Sequence, residues 1–367
     1  FDPIQTVENL PAGTYTVSVS DNYSCPKDTV IIINEPDSLE ISEPELSEVM
    51  FNEVVTPYNI TCYGEADGSV YLSITGGTPP YTISWEGVGN NGNLFVDSTY
   101  TSSDSVQEFT ELIAGTYTIN IEDINGCTNE VSSIVLIEPD ELIIDSLIPV
   151  VLIDEGDDIF HILCAGGSGG QITSSVFGGS YISESVYYSY TWTTDGGSIP
   201  EDQINEPNPI GLTAGDYTLT VEDANGCDTV YGPVTLIEDD PVILNVAKED
   251  EWEVYDVQCF DSSTGSISID VSGGTGPYVT NITGLYEDDT VIDLTDLYDS
   301  FDPIQTVENL PAGTYTVSVS DDYSCPKDTV IIINEPESLE ISEPELSEAM
   351  GLQPNGLTPY NITCYGE

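Results

Sequence analysis

Cationic side chains are almost missing from this sequence. Its 367 residues include three lysines (Lys27, Lys248 and Lys327), no arginine and one histidine (His161), against 66 Asp and Glu, for a formal charge of −63. Such a chain cannot displace counterions from phosphates, which excludes nucleic acid as a partner, and an anionic membrane leaflet repels it. The same shortage deprives oxyanion and phosphoryl chemistry of its usual cations. No run approaches the roughly 20 apolar residues of a membrane span; Leu142 to Ile153 is broken by Asp145. Cys-x-x-Cys pairs and Cys/His clusters are absent, which argues against zinc and dithiol redox chemistry. No leader-like segment precedes Phe1, which opens inside a repeat, so the sequence is expected to be a window on something longer.

What is present is a folded composition. Hydrophobic residues make up 39% and tyrosines number 22, so the acidity does not signal disorder. The organising feature is repetition. Phe1–Met50 returns as Phe301–Met350 with three changes, at Asn22, Asp37 and Val49, and Thr56–Glu65 returns as Thr358–Glu367. Inside this period of about 300 residues runs a weaker one of about 100, marked by Ala114-Gly115-Thr116-Tyr117, Ala214-Gly215-Asp216-Tyr217 and Ala312-Gly313-Thr314-Tyr315.

Each marker opens an alternating run such as Tyr117-Thr118-Ile119-Asn120-Ile121, the period-two pattern of a half-buried strand. A turn follows, Asp123-Ile124-Asn125-Gly126-Cys127 in the first copy and Asp223 to Cys227 in the second. Asn-Gly accepts positive φ, so both read as hairpins. The next strand closes at Glu138-Pro139, Glu238-Asp239 and Glu335-Pro336. These points predict complete repeats over 37–139, 140–238 and 239–336, half a repeat over 1–36 and the start of another over 337–367. Seven or so short strands per 100 residues, without helical periodicity, predict an all-β chain of tandem immunoglobulin-like (PKD-like) β-sandwiches forming an extended rod. Tyr117, Tyr217 and Tyr315 stand where a tyrosine corner would bond to upstream backbone, and Trp85 and Trp192 are expected core anchors on the third strand.

The ordered string Cys62-Tyr63-Gly64, Asp67-Gly68-Ser69, Gly76-Gly77-Thr78-Pro79-Pro80-Tyr81, Trp85, Leu112, Ala114 to Tyr117, Asp123, Asn125-Gly126-Cys127 and Glu138-Pro139 resembles the SprB repeat of Bacteroidota cell-surface proteins. The middle repeat keeps Cys164, Gly178-Gly179, Trp192 and Asn225-Gly226-Cys227 but lacks Pro-Tyr after its glycine pair; the third keeps Cys259 and Gly273 to Tyr278 but has no matching Trp. The resemblance implies a very large protein exported by type IX secretion, in a family that includes the mobile adhesin of gliding bacteria.

Eight cysteines fall two per repeat, at 25, 62, 127, 164, 227, 259, 325 and 364, a regularity that suits disulfides in a secreted protein. Pairing Cys62 with Cys127 meets a geometric objection. They sit at opposite poles of a sandwich, about 26 Å apart by strand rise, whereas bridged Cα atoms lie about 4.4–6.8 Å apart. The preferred scheme is staggered, Cys62 with Cys227 and Cys164 with Cys325, leaving Cys25, Cys127, Cys259 and Cys364 to pair beyond this segment. Bonds within a repeat, and bonds between sequence neighbours such as Cys127 and Cys164, remain alternatives.

Other chemistry is thin. His161 near Cys164 suggests a nucleophile and base, but Cys164 aligns with Cys62 and Cys259, so no catalytic residue is assigned and an enzyme is not expected. Acid runs at Asp154 to Asp158, Glu249-Asp250-Glu251 and Glu287-Asp288-Asp289 offer oxygens for a structural Ca²⁺ but lack EF-hand spacing; otherwise no cofactor is expected. The sequons at Asn59, Asn281 and Asn361 are taken as chance. The Asp-Ser/Thr-aliphatic O-glycan signal, carried by the resemblance, fits Thr29, Ser38, Ser105, Ser146, Thr229, Thr290 and Thr329, with Ser98 a looser match.

The expected function is a repeat segment of an extracellular cell-surface adhesin filament serving attachment and gliding. Its partners would be a surface polysaccharide or abiotic surface, the secretion and gliding machinery by resemblance, and neighbouring repeats of the same chain. A structural fibre or stalk, and carbohydrate-binding accessory repeats of a secreted enzyme, are the alternatives. Loops such as 87–93 and Asp195-Gly196-Gly197 name no ligand.

Overall fold

The structure, a computed structural model, describes residues 5–51, 53–89, 94–155, 158–182, 185–249, 254–285, 291–293, 304–343, 349–353 and 356–360. Every regular element among them is a strand, and the pairs within the sheets are antiparallel. The fold is all-β, built of small sheets.

Two compact units form, one from Phe1–Val150 with Ser168–Leu236, the other from Val151–Gly167 with Ile237–Glu367. Residues 151–167, placed in the second repeat by sequence, thus cluster with the residues from Ile237 onward. The reason is local bonding: the amides of His161 and Ile162 both donate to the Ile237 carbonyl, at 2.9 and 3.2 Å, and the Asp239 amide donates back to Ile162 at 3.2 Å.

The first unit holds two sandwiches. In the first, Gly68–Thr75 is flanked by Val106–Leu112 on one side and by Glu40–Ile41 and Glu45–Leu46 on the other; the facing sheet runs Thr128–Leu136, Gly115–Glu122, Tyr81–Val88, Leu94–Ser102. Alternation sets the inner face: Val70, Leu72 and Ile74 are buried while Tyr71 and Thr75 are exposed, as period two requires. They meet Ile83, Tyr117, Ile119 and Ile121 of the other sheet in one core. The second sandwich pairs Asp140–Pro149, Gly170–Gly179 and Ile210–Leu212 in one sheet, and Ser189–Asp195, Gly215–Glu222 and Asp228–Leu236 in the other. The second unit repeats the plan, with Ile243–Lys248, Gly265–Ser272 and Ile304–Leu310 in one sheet and Val291–Asp293, Val279–Leu285, Gly313–Ser320 and Pro326–Ile333 in the other.

Trp192 is 2% exposed and its indole N–H donates to the Glu206 carbonyl at 2.8 Å. Trp85 is half-buried against Phe109 and Tyr117, with ring centroids 5.1 and 6.0 Å away. In the third repeat Ile282 takes their place, opposite Val317 as Trp85 is opposite Ile119 and Trp192 opposite Leu219.

The hairpin Gly13–Ser20 with Pro26–Ile33 has the same register as its near-identical copy Gly313–Ser320 with Pro326–Ile333. Its environment differs. Val17 and Val19 are 43% and 64% exposed, whereas Val317 and Val319 are buried.

The paired glycines also have a steric reason. Gly76, Gly178 and Gly273 all adopt positive φ, and a Cβ on each would lie 1.9, 1.8 and 2.2 Å from a carbonyl oxygen of Ser38, Glu141 and Pro241. No side chain fits there.

Candidate functional site: the disulfide-linked turns

The turn that ends in cysteine is organised by the aspartate four residues earlier. Asp223 Oδ1 accepts the amides of Asn225 and Cys227 at 2.9 and 3.0 Å, and its Oδ2 accepts the Ser180 amide, just past the glycine pair, at 2.7 Å. Asp123 does the same for Asn125, Cys127 and Thr78 at 2.9, 2.8 and 2.9 Å, and Asp321 for Tyr323, Cys325 and Thr275 at 3.0, 2.9 and 3.3 Å. The Cys127 amide, with those of Thr78 and Asn125, holds the Asp123 carboxyl below the usual carboxylate range, against a partial desolvation.

The other cysteine sits in a second kind of turn. Sequence places Cys62 near the end of the first strand; in the structure that strand is finished by Leu46, and Cys62 lies in a later turn in which the Glu65 amide donates to its carbonyl at 3.1 Å. Glu138 caps this turn, its Oε2 accepting the Gly64 amide at 2.7 Å. Glu238 caps Gly166 and Glu335 caps Asp261, both at 2.7 Å. The capped residue has positive φ each time: 78° at Gly64, 73° at Gly166 and 57° at Asp261.

The structure joins the two kinds of turn. Cys62 bonds to Cys227 with Cα atoms 5.7 Å apart, and Cys164 bonds to Cys325 at 5.4 Å, within the range a bridge needs. Asn225 Nδ2 donates to the Thr61 carbonyl at 2.9 Å beside the first bond. Each bond links a cysteine of one sequence repeat to the turn of the next. The loops closed, 165 and 161 residues, are long enough that the chain-entropy account gives about 5 kcal/mol each. Cys25, Cys127 and Cys259 are exposed and have no disulfide partner among the described residues, and Cys364 lies outside the described residues.

Sequence reasoning missed the residue three before each cysteine. Asn59, His161 and Asp256 all do one job with different chemistry. The backbone amide of each donates to the end of the last strand, Asn59 to Ile137 at 2.8 Å, His161 to Ile237 at 2.9 Å and Asp256 to Asn334 at 3.0 Å. Each side chain then accepts an amide in return: Asn59 Oδ1 from Ile137 at 3.0 Å, His161 Nδ1 from Ile237 at 3.0 Å and Asp256 Oδ2 from Asn334 at 2.7 Å. Aligned cysteines would have shown an acceptor at every copy. Burial would raise the Asp256 carboxyl, but Lys248 at 2.7 Å and the Asn334 bonds outweigh it and hold it low.

His161 Nδ1 is thus engaged by the Ile237 amide, and the neighbouring Cys164 is engaged in a disulfide. Burial depresses the His161 pKa, and its Nδ1 must stay unprotonated to accept the Ile237 amide. The unfolded chain takes up the proton first, near pH 6.5, so this contribution is whole above that value and drains as the pH falls through it. Hydrogen exchange at Ile237, normalised for intrinsic rate, should lose protection between pH 7.5 and 5. In His161→Asn, which copies Asn59, that loss should vanish; an unchanged pH profile in the variant would refute the assignment.

The tyrosine corners are formed. Tyr117 donates to the Ile113 carbonyl at 2.7 Å, Tyr217 to Thr213 at 2.6 Å and Tyr315 to Pro311 at 2.7 Å. Burial pushes the Tyr117 hydroxyl up to about 12. Replacing Tyr117 with Phe removes this bond and little volume, so urea melts should show a loss of about 1 kcal/mol; no loss would make the hydroxyl idle.

Of the O-glycan candidates, Thr29, Ser38 and Ser105 are exposed, as is Ser98, while Ser146, Thr229 and Thr329 are half-buried and Thr290 lies outside the described residues. No three His, Cys, Asp or Glu side chains gather as a metal site among the described residues; residues 156–157, 250–251 and 287–289 of the acid runs lie outside them. Beside the Cys62–Cys227 bond is an open cleft of about 360 Å³, rimmed by Tyr63, Glu65, Glu141 and Asp228. Residues 90–93 of the 87–93 loop lie outside the described residues, and Asp195-Gly196-Gly197 is a turn in which Gly196 has φ of 77°.

The model of the SprB repeat family matches residues 54–90 and 253–279. These segments run from the capped cysteine turns through the glycine pairs. Two segments of the chain match the SprB repeat. No curated protein matches it. Among solved structures, the chain is similar to a tetra-tandem repeat from the extending region of a large adhesion protein (13% identity over 90% of this chain and 84% of that one, TM-score 0.26). It is also similar to a Ca²⁺-stabilised adhesin with which an Antarctic bacterium binds ice (16%, 88% and 80%, TM-score 0.40) and to chicken CNTN1 domains FN1–FN3 (15%, 76% and 99%, TM-score 0.21).

Proposed function

We propose that these SprB repeats form part of an extracellular adhesin filament at the cell surface, used in surface attachment and gliding, and that the segment acts as an acidic, disulfide-braced rod. The observation that carries the reading is the pair of bonds Cys62–Cys227 and Cys164–Cys325, each tying a repeat to its successor. Bonds in that register resist separation of neighbouring repeats under tension. They also need an oxidising compartment, which suits a surface location.

The charge of −63 supports the same role, since like charges repel within a Debye length of about 8 Å and oppose bundling. A long array offers either a distant tip or a multivalent flank to a polysaccharide or abiotic surface. Export by type IX secretion and coupling to a gliding motor follow from the family resemblance. A non-enzymatic role fits the described residues, where the one histidine is occupied by an amide and its neighbour Cys164 by a disulfide.

Fluorescent antibody fragments against this segment, tracked on living source cells, test the proposal. Spots running along the cell are the expected result. Spots fixed in place would make the chain a static adhesin or structural fibre, and absence from the surface would overturn both.

A further inference from the structure

Cys127 and Cys259 stand in the same local frames as the bonded cysteines. Asp123 Oδ1 holds the Cys127 amide at 2.8 Å, as Asp223 and Asp321 hold those of Cys227 and Cys325 at 3.0 and 2.9 Å. The Cys259 carbonyl accepts the Ser262 amide at 3.1 Å beneath the Glu335 cap, matching Cys62 with Glu65 at 3.1 Å and Cys164 with Gly167 at 2.9 Å. In both bonded cases the turn cysteine takes the capped cysteine of the preceding repeat, 165 or 161 residues upstream. Frame and register are therefore independent observations, and both point at the thiols left exposed.

We infer that Cys259 bonds to the counterpart of Cys127 in the next copy of the long period. Periodicity supplies the address. Thr56–Glu65 recurs at Thr358–Glu367, an offset of 302 residues, so that counterpart falls about 170 residues beyond Cys259. By the same rule Cys25, which shares the sequence context of the bonded Cys325, takes the counterpart of Cys164 in the preceding copy, and Cys364 the counterpart of Cys227 in the next. Each rung forms by thiol–disulfide exchange: two thiols give up two protons and two electrons to the disulfide of an oxidant protein, which leaves as a dithiol.

The staggering has a mechanical consequence that bonds within a repeat would lack. The loops 62–227 and 164–325 overlap, so one cut anywhere between Cys62 and Cys325 leaves both pieces joined. A third rung at Cys259 extends this to the whole array, and no single proteolytic nick severs the filament. The inference is independent of motility, since rungs on a chain that never moves would refute only the gliding role.

The test uses the full chain taken from its source without reductant, with thiols first blocked by N-ethylmaleimide. With three lysines trypsin is of little use, so the digest employs an Asp- or Glu-directed protease. Mass spectrometry should find the Cys127 peptide linked to the Cys259 peptide and essentially no maleimide on either. A blocked Cys127, a Cys127–Cys127 link or a Cys62–Cys127 link would each overturn the inference. Cys259→Ser in one copy serves as the control: it should expose one Cys127 to maleimide while the Cys62–Cys227 link persists, and a Cys127 that stays protected would equally overturn it.

Discussion

Pulled from its two ends, the oxidised chain should extend about 680 Å less than the reduced chain. The shortest covalent path crosses from Cys62 to Cys227, runs back along the chain to Cys164 and crosses to Cys325, which takes about 200 residues off the load-bearing length, and each residue contributes at most about 3.3–3.6 Å when extended. The routes through either bond alone are longer and stay slack, so neither restores the missing length. The shielded stretch includes the core strands Gly68–Thr75, Tyr81–Val88 and Gly115–Glu122. Force reaches these strands only after reduction. Single-molecule extension with and without reductant measures this; equal contour lengths would mean that the bonds do not form in solution.

The second large effect is expected at Asp223. Replacing it with alanine strands three amides at once, those of Asn225, Cys227 and Ser180, in a residue that is itself 5% exposed. Unmet buried donors cost about 1–3 kcal/mol each, and partial hydration of the turn reduces the sum, so a loss of about 2–4 kcal/mol is expected in denaturant melts. Because the same carboxylate positions the Cys227 backbone, the fraction of chains carrying the Cys62–Cys227 bond should fall as well. Asp223→Asn keeps one accepting oxygen and should recover part of both losses. A variant that loses stability but oxidises normally would show that the turn does not set the register of the bond.

Short-range pattern made most of the fold legible. Alternation named the strand Gly115–Glu122 and its equivalents, Asp-x-Asn-Gly-Cys named their hairpins, and Ala-Gly-x-Tyr named the corner tyrosines, because each depends on neighbours within a few residues. Burial was less legible. The hairpins at 13–33 and 313–333 share a sequence and a register, yet Val319 is 2% exposed and Val19 64%, since burial belongs to the partner sheet and not to the strand.

Polar contacts closed over long separations were decided by the tertiary structure alone. Glu138 caps a turn 74 residues away and His161 holds an amide 76 residues away; neither has a local signature, because the last strand must return before they meet. The acceptor three residues before each cysteine varies from Asn to His to Asp, so geometry preserves what residue identity hides. Tyr188 makes the same point. It donates to the Gly178 carbonyl at 2.8 Å, as Tyr81 does to Gly76 at 2.8 Å and Tyr278 to Gly273 at 2.7 Å, although the middle repeat lacks the Pro-Tyr step. Sequence by itself determined strands, turns and the spacing of cysteines and favoured a staggered pairing; the fold chose which distant polar groups meet and which of the pairings left open the thiols adopt, because only a completed sandwich brings its two poles to fixed places.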